Sequence, residues 1–197
     1  MTINLRKQIR FPICTYDGVF PSISNRLSDF SFPQFVRYGS QTQPAPFHCF
    51  VDDWRLESIW RSDSKFVEKA LLVGSAVAPD FSVYSDFPYL HSMYQIWRSR
   101  LICAWWSSHG VFSIPVLQWT CSRDSQLPDY FQGLHDCDVI AVRCPSREPD
   151  VIEDYLICAR RFLQIHQPKL VLHFGLQRGS DVWPNSLVLP LNPRLPC

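Results

Sequence analysis

The chain has no charge excess, few glycines, no long apolar run and no cysteine pair at metal-ligand spacing. Formal net charge is +1, from 19 Lys and Arg against 18 Asp and Glu. That balance argues against binding nucleic acid mainly by bulk electrostatics, because such a footprint is a strongly basic domain. The N-terminal MTINLRKQIRFPICTYDGVF holds no apolar stretch of signal-peptide length, and nothing elsewhere approaches a membrane span. A soluble protein of the cytoplasm is therefore expected, with no membrane partner. Eight cysteines are present without a single CxxC, so reduced, mostly buried thiols are the expectation. A zinc site from His135, Cys137, Cys144 and His173 is a weaker alternative, since that spacing matches no familiar ligand pattern. Walker A, GxGxxG, HExxH and GxSxG motifs are missing as well.

What is present is a globular composition with 46% hydrophobic and 14% aromatic residues. A length of 197 residues fits one domain with a substantial core. Sixteen prolines against seven glycines imply stiff connections. Residues 1–46 read as an irregular arm, and Phe11, Phe20, Phe30, Phe32 and Phe35 need apolar cover, so the arm is expected to pack on a single domain spanning 47–197.

From residue 47 the pattern turns regular. PFHCFVDDW, LVGSAVAPDF, VFSIPVLQW, CDVIAVRCP and KLVLHFG read as buried strands, with NSLVLPL as a sixth. Between them SDSKFVEKALL, FPYLHSMYQIWRSRLICAWWSSHG and PDVIEDYLICARRFLQIHQP read as helices. In the longest, Leu90, Tyr94, Trp97, Leu101 and Trp105 form the expected inward stripe. In the last, Ile152, Tyr155, Leu156, Ala159, Phe162 and Leu163 do so. Near-continuous apolar strands alternating with helices predict an α/β fold, mainly parallel, with helices covering the sheet. Open-sheet and small or incomplete (β/α) barrel geometries both fit.

Parallel α/β proteins bind ligands at the carboxyl ends of their strands. Those ends carry Asp52 and Asp53, Asp80, Trp119, Arg143 and Cys144, and His173. Asp86, two residues before Pro88, suits a helix cap. Asp80 has no helix to cap, so an arginine pair, backbone N–H partners and chemistry all stay open for it. Arg55 is placed to pair with Asp52 or Asp53, and Arg98 adds a cation on the long helix.

The segments VDDWRLESIW, PDFSVYSDFP, MYQIWRSRLICAWWSSHG and IPVLQW together resemble the domain of unknown function 4417 family, found in bacteria and in their phages and plasmids. The likeness covers residues 47–175, and the block from Pro79 to Pro88 is its most specific part. It matches family positions at Asp52, Asp53, Trp54, Arg55, Trp119 and Arg98 or Arg100. The sequence departs at VRCPS, where a glycine-containing turn is expected, which weakens any phosphate role for that loop. The resemblance implies no established activity. It does imply a mobile-element setting in the bacterial host's cytoplasm, and with it replication, nucleic-acid processing or counter-defence.

Two functional readings follow. In one, the protein is a metal-assisted hydrolase of a phosphodiester or nucleotide. Asp52, Asp53 and Asp80 would ligate Mg²⁺ or Mn²⁺, Asp80, Asp53 and Arg98 would act in catalysis, and Trp119, Arg55, Arg143 and His173 would hold the substrate. In the other, it is a non-catalytic protein that recognises a nucleic acid or a host or phage protein.

Overall fold

The computed structural model describes residues 15–31, 33–39, 44–61, 63–121, 123, 125–144 and 148–191. Phe11, Phe32, Cys14 and Cys197 lie outside them. The apolar runs form strands. β1 (Tyr16–Asp17), β2 (Phe20–Pro21), β3 (Ser24–Asn25) and β4 (Val36–Arg37) are short pieces near the N-terminus. They are followed by β5 (Phe47–Cys49), β6 (Ser75–Pro79), β7 (Phe112–Ile114) and β8 (Asp136–Cys137). The chain then forms β9 (Val139–Arg143), β10 (Leu170–Phe174) and β11 (Ser186–Leu189). The helices are α1 (Asp53–Arg61), α2 (Asp63–Val73), α3 (Tyr89–Ser108) and α4 (Pro149–Ile165).

The order β4-β5-β6-β7 makes one parallel sheet and β9-β10-β11 another. Among the described residues a single parallel bridge, Val116 to Ala141, joins them, with Leu117 N–H donating to Ala141 O at 2.9 Å. The expected parallel order therefore holds, with its central seam reduced to that bridge. Every residue of β6 and β10 is buried, as strands covered on both faces require.

The sheet curls strongly. Rings from opposite ends of the strand order touch: Phe174 of β10 lies 4.9 Å from His48 of β5 and 5.9 Å from Phe35. His48 Nε2–H donates to Leu191 O at 2.9 Å, beyond β11. No ladder joins β11 to β4 among the described residues, so the barrel is incomplete.

Asn25 repairs the weak seam. Its Nδ2 donates to Ser113 O at 3.1 Å and Val139 O at 2.9 Å, and its Oδ1 accepts from Val139 N–H at 2.8 Å. One N-terminal side chain thus ties β7 to β9, and Phe20, Phe30 and Phe35 enter the same core.

Helix α3 keeps part of its expected stripe, with Leu101 buried and Trp97 and Trp105 packed against the core, and corrects its N-terminal part. Leu90 and Tyr94 are 78% and 47% exposed, while Ser92, Ile96, Ser99, Arg100, Cys103 and Trp106 are buried. Two of the inward polar residues meet backbone acceptors where the ladders end. Ser99 Oγ donates to Pro79 O at 2.6 Å, and Arg100 Nη1 to Val116 O. A buried carbonyl left without a donor costs about 1–3 kcal/mol, so these positions favour polar side chains over apolar ones. α4 follows expectation more closely, with Tyr155, Cys158, Ala159 and Phe162 buried.

The capping role expected of Asp86 is also corrected. α3 starts with Pro88 at its N-cap and no side-chain cap, and Asp86 is exposed in the turn before it. Cys49, Cys103, Cys121, Cys137, Cys144 and Cys158 are free thiols.

Candidate functional site

Above the carboxyl ends of β6 and β9 lies a cleft of about 340 Å³, lined by Asp80, Tyr84, Gln118, Trp119, Arg143 and Tyr155 among others. β6 stops at Pro79, whose missing N–H and fixed φ suit a strand end, and Asp80 is the next residue. The segment that follows is held from two sides. Gln118 Nε2 donates to Phe81 O at 2.6 Å, and Asp53 accepts from Ser82 N–H and Ser82 Oγ–H.

Trp119 leaves the Val116 bridge and packs on Tyr155 of α4, ring centroids 5.3 Å apart. Tyr155 Oη is fixed in turn by Trp183 Nε1–H at 2.9 Å. Arg143 ends β9, and the turn after it is pinned by Cys144 N–H donating to Phe174 O at 2.7 Å. Opposite that turn, Gly175 has φ of +114°, and a Cβ there would sit 2.8 Å from the Cys144 Cβ, so only glycine fits.

Asp80 lines the cleft, and Asp154 of α4 is a second carboxylate in its wall. Burial, with help from the neighbouring Asp53 charge, pushes the Asp80 pKa up to about 6, while Arg143 and the Gln118 amide pull the other way. Arg143 acts at a distance, because no cation comes within 4.0 Å of Asp80 among the described residues. The arginine-pair alternative for Asp80 is therefore not what the fold builds.

Three of the expected site residues, Asp80, Trp119 and Arg143, share this cleft. The others lie elsewhere. Asp53 sits behind it as a bracket for Ser82. Asp52 is largely exposed, with Arg55 at 4.0 Å, and the Arg55 guanidinium lies over Trp54. Arg98 is buried in a pair with Glu57 at 2.5 Å, also donates to Gln95, and stacks on Phe81 at 3.7 Å. His173 is fully buried, its ring edge-on to Tyr155 at 6.1 Å, and neither ring nitrogen has a hydrogen-bond partner among the described residues. Burial lowers its pKa to about 4.

Among the described residues no three His, Cys, Asp or Glu side chains gather as metal ligands. As placed, Asp52, Asp53 and Asp80 do not form a common ligand set, because Ser82 occupies the Asp53 oxygens and Asp52 points to solvent. The weaker zinc alternative finds no cluster there either.

Sequence reasoning missed Gln118 and the cleft role of Tyr155. Gln118 carried a signal, since an amide one residue before a strand-end Trp sits oddly in an apolar run. Tyr155 was legible only as an inward helix position.

An incomplete parallel α/β barrel with one mixed aromatic and charged cleft at its strand ends defines the general class. Within it, the chain belongs to the family described as a domain of unknown function (DUF4417), whose model matches residues 19–185. It is 27% identical over 157 residues to the Gene 1 protein of Mycobacterium phage D29, covering 79% of this chain and 57% of that protein. The Gene 1 protein of Mycobacterium phage L5 is also 27% identical over 157 residues, covering 67% of its own length. The chain thus spans little more than half of the D29 relative. The family has phage-encoded members, as the resemblance implied. No solved structure matches. No helix among the described residues is long and apolar enough to cross a membrane.

Proposed function

We propose that this chain binds a nucleotide, free or as one unit of a single strand, in the cleft at its strand ends. The observation that carries the reading is the convergence of Trp119, Asp80 and Arg143 from separate strand ends on one space of about 340 Å³. That volume is at the small end of ligand pockets and suits a base with its sugar. Trp119 and Tyr84 supply faces for stacking, which is worth about 1–3 kcal/mol per base. Arg143 supplies a bidentate donor for phosphate. Asp80 supplies acceptors for a base edge and, with its pKa near 6, a proton at near-neutral pH. Recognition through one cleft also accommodates the net charge of +1, since no basic surface is needed to hold a single nucleotide.

Calorimetric titration with the common ribonucleoside and deoxyribonucleoside monophosphates tests this directly. Saturable binding that weakens about tenfold or more in Arg143→Ala or Trp119→Ala is the expected result. Binding of none of them would refute the reading.

Metal-assisted phosphodiester hydrolysis stands as a second reading, favoured by an Asp53 charge close enough to act on Asp80. It needs Asp53 to release Ser82 and turn toward the cleft. Mn²⁺ titration, with and without nucleotide, separates the two: metal binding lost in both Asp53→Asn and Asp80→Asn would favour hydrolysis.

A further inference from the structure

The cleft wall around Asp80 and Gln118 carries acceptors. Gln118 is 5% exposed, and its amide orientation is dictated by the backbone: only an NH₂ faces the Phe81 carbonyl at 2.6 Å. The same amide supports the Asp80 carboxyl. With Nε2 committed, Gln118 Oε1 is left buried with no donor among the described residues. Asp80 likewise has no cation within ion-pair distance there. A carboxylate beside an unsatisfied amide oxygen calls for a ligand edge carrying adjacent N–H donors. Leaving such acceptors unmet costs about 1–3 kcal/mol each, so a ligand that supplies donors is selected over one that does not.

We propose that this wall of the cleft reads the N1–H and N2 amino edge of a guanine, making the ligand a guanine nucleotide. This rests on the nucleotide reading above. Among the four bases, guanine presents two neighbouring donor groups on one edge, which match the two oxygens of a carboxylate. Adenine and cytosine offer one amino group flanked by an acceptor, which would face the Asp80 carboxylate unfavourably. A guanidinium ligand also carries paired donors, but it brings no phosphate for Arg143 on the same cleft.

The test compares GMP, IMP, XMP and AMP by calorimetry at pH 8, where Asp80 is ionised, on the unaltered chain and on Asp80→Asn. IMP lacks only the N2 amino group, and XMP replaces it with an acceptor. The unaltered chain should bind GMP about tenfold or more tightly than IMP, and XMP should bind weakest. Asn in place of Asp80 presents one donor and one acceptor, so the order should invert to XMP over GMP. Equal affinity for GMP and IMP in the unaltered chain overturns the guanine inference while leaving nucleotide binding in place. A preference for AMP overturns it too. No binding of any of the four overturns both.

Discussion

Asp53, the first residue of α1, accepts hydrogen bonds from both the backbone N–H and the hydroxyl of Ser82, at 3.0–3.2 Å. A carboxylate from one crossover thereby sets the path of the chain leaving the next strand, and Asp80 lies two residues before Ser82 on that path. The two acids thus have different work: one shapes the loop and the other faces the cleft.

The first prediction follows from that bracket. Asp53→Ala removes the acceptor and leaves Ser82 N–H short of a partner, so it should cost about 1–3 kcal/mol of stability. Ligand affinity should fall with it, since the 80–84 segment loses its anchor. Asp53→Asn, which keeps one acceptor oxygen, should recover most of both. Urea melts and nucleotide titrations on the pair check this, and an Asp53→Ala chain of normal stability would contradict the bracket.

Asp80 sets a pH dependence. Its carboxyl has a folded pKa raised to about 6 from 3.8, so the folded state favours the neutral form. The stabilising contribution is full below the unfolded value, near 4, and is lost as pH rises through about 6. Asp80→Asn, permanently neutral, should therefore be more stable than the natural chain at pH 7–8, by about 1–3 kcal/mol after solvent screening. The difference should vanish near pH 4. A lower melting temperature for Asp80→Asn at pH 8 would show instead that Asp80 neutralises a cation.

Arg98 has a structural task. It is buried against Phe81, Trp60 and Tyr94 and paired with Glu57. Arg98→Gln strands part of that pair and removes the guanidinium stack, at a cost of about 3 kcal/mol. Nucleotide affinity at low temperature, measured on the folded fraction, should change little. A variant that keeps its melting temperature and loses ligand binding would return Arg98 to the site.

His173 makes the fold acid-sensitive. Its folded pKa is lowered to about 4 from 6.5, so its contribution is present above pH 6.5 and is lost as pH falls toward 4. With both ring nitrogens unpartnered among the described residues, His173→Phe forfeits no hydrogen bond there and keeps an aromatic edge on Tyr155. It should match the natural chain at pH 7 and be more stable at pH 5, as followed by thermal melts. His48, whose pKa is likewise lowered to about 4, donates to Leu191 and should not tolerate the same change.

Much of this was legible in the order of residues, for local reasons. Unbroken apolar runs such as VIAVR and LVLHF place strands between helices, and parallel pairing follows from burial on both faces. Parallel pairing in turn sends Asp80, Trp119 and Arg143 to one rim, because each ends its own run. The α3 stripe was legible only in part, at Trp97, Leu101 and Trp105, for a nonlocal reason. Ser99 and Arg100 face inward because carbonyls of Pro79 and Val116 wait there, and those carbonyls belong to other segments.

The division of labour among the charged residues was decided only by the tertiary structure. Sequence alone determined that Asp53, Asp80 and Arg98 lie near strand ends or on the helix beside them. Whether each faces ligand or protein depends on partners far away along the chain: Ser82 is 29 residues from Asp53, and Glu57 is 41 from Arg98. A charge is satisfied by whatever packing brings within about 3 Å of it, and packing is a property of the folded whole rather than of any stretch of residues.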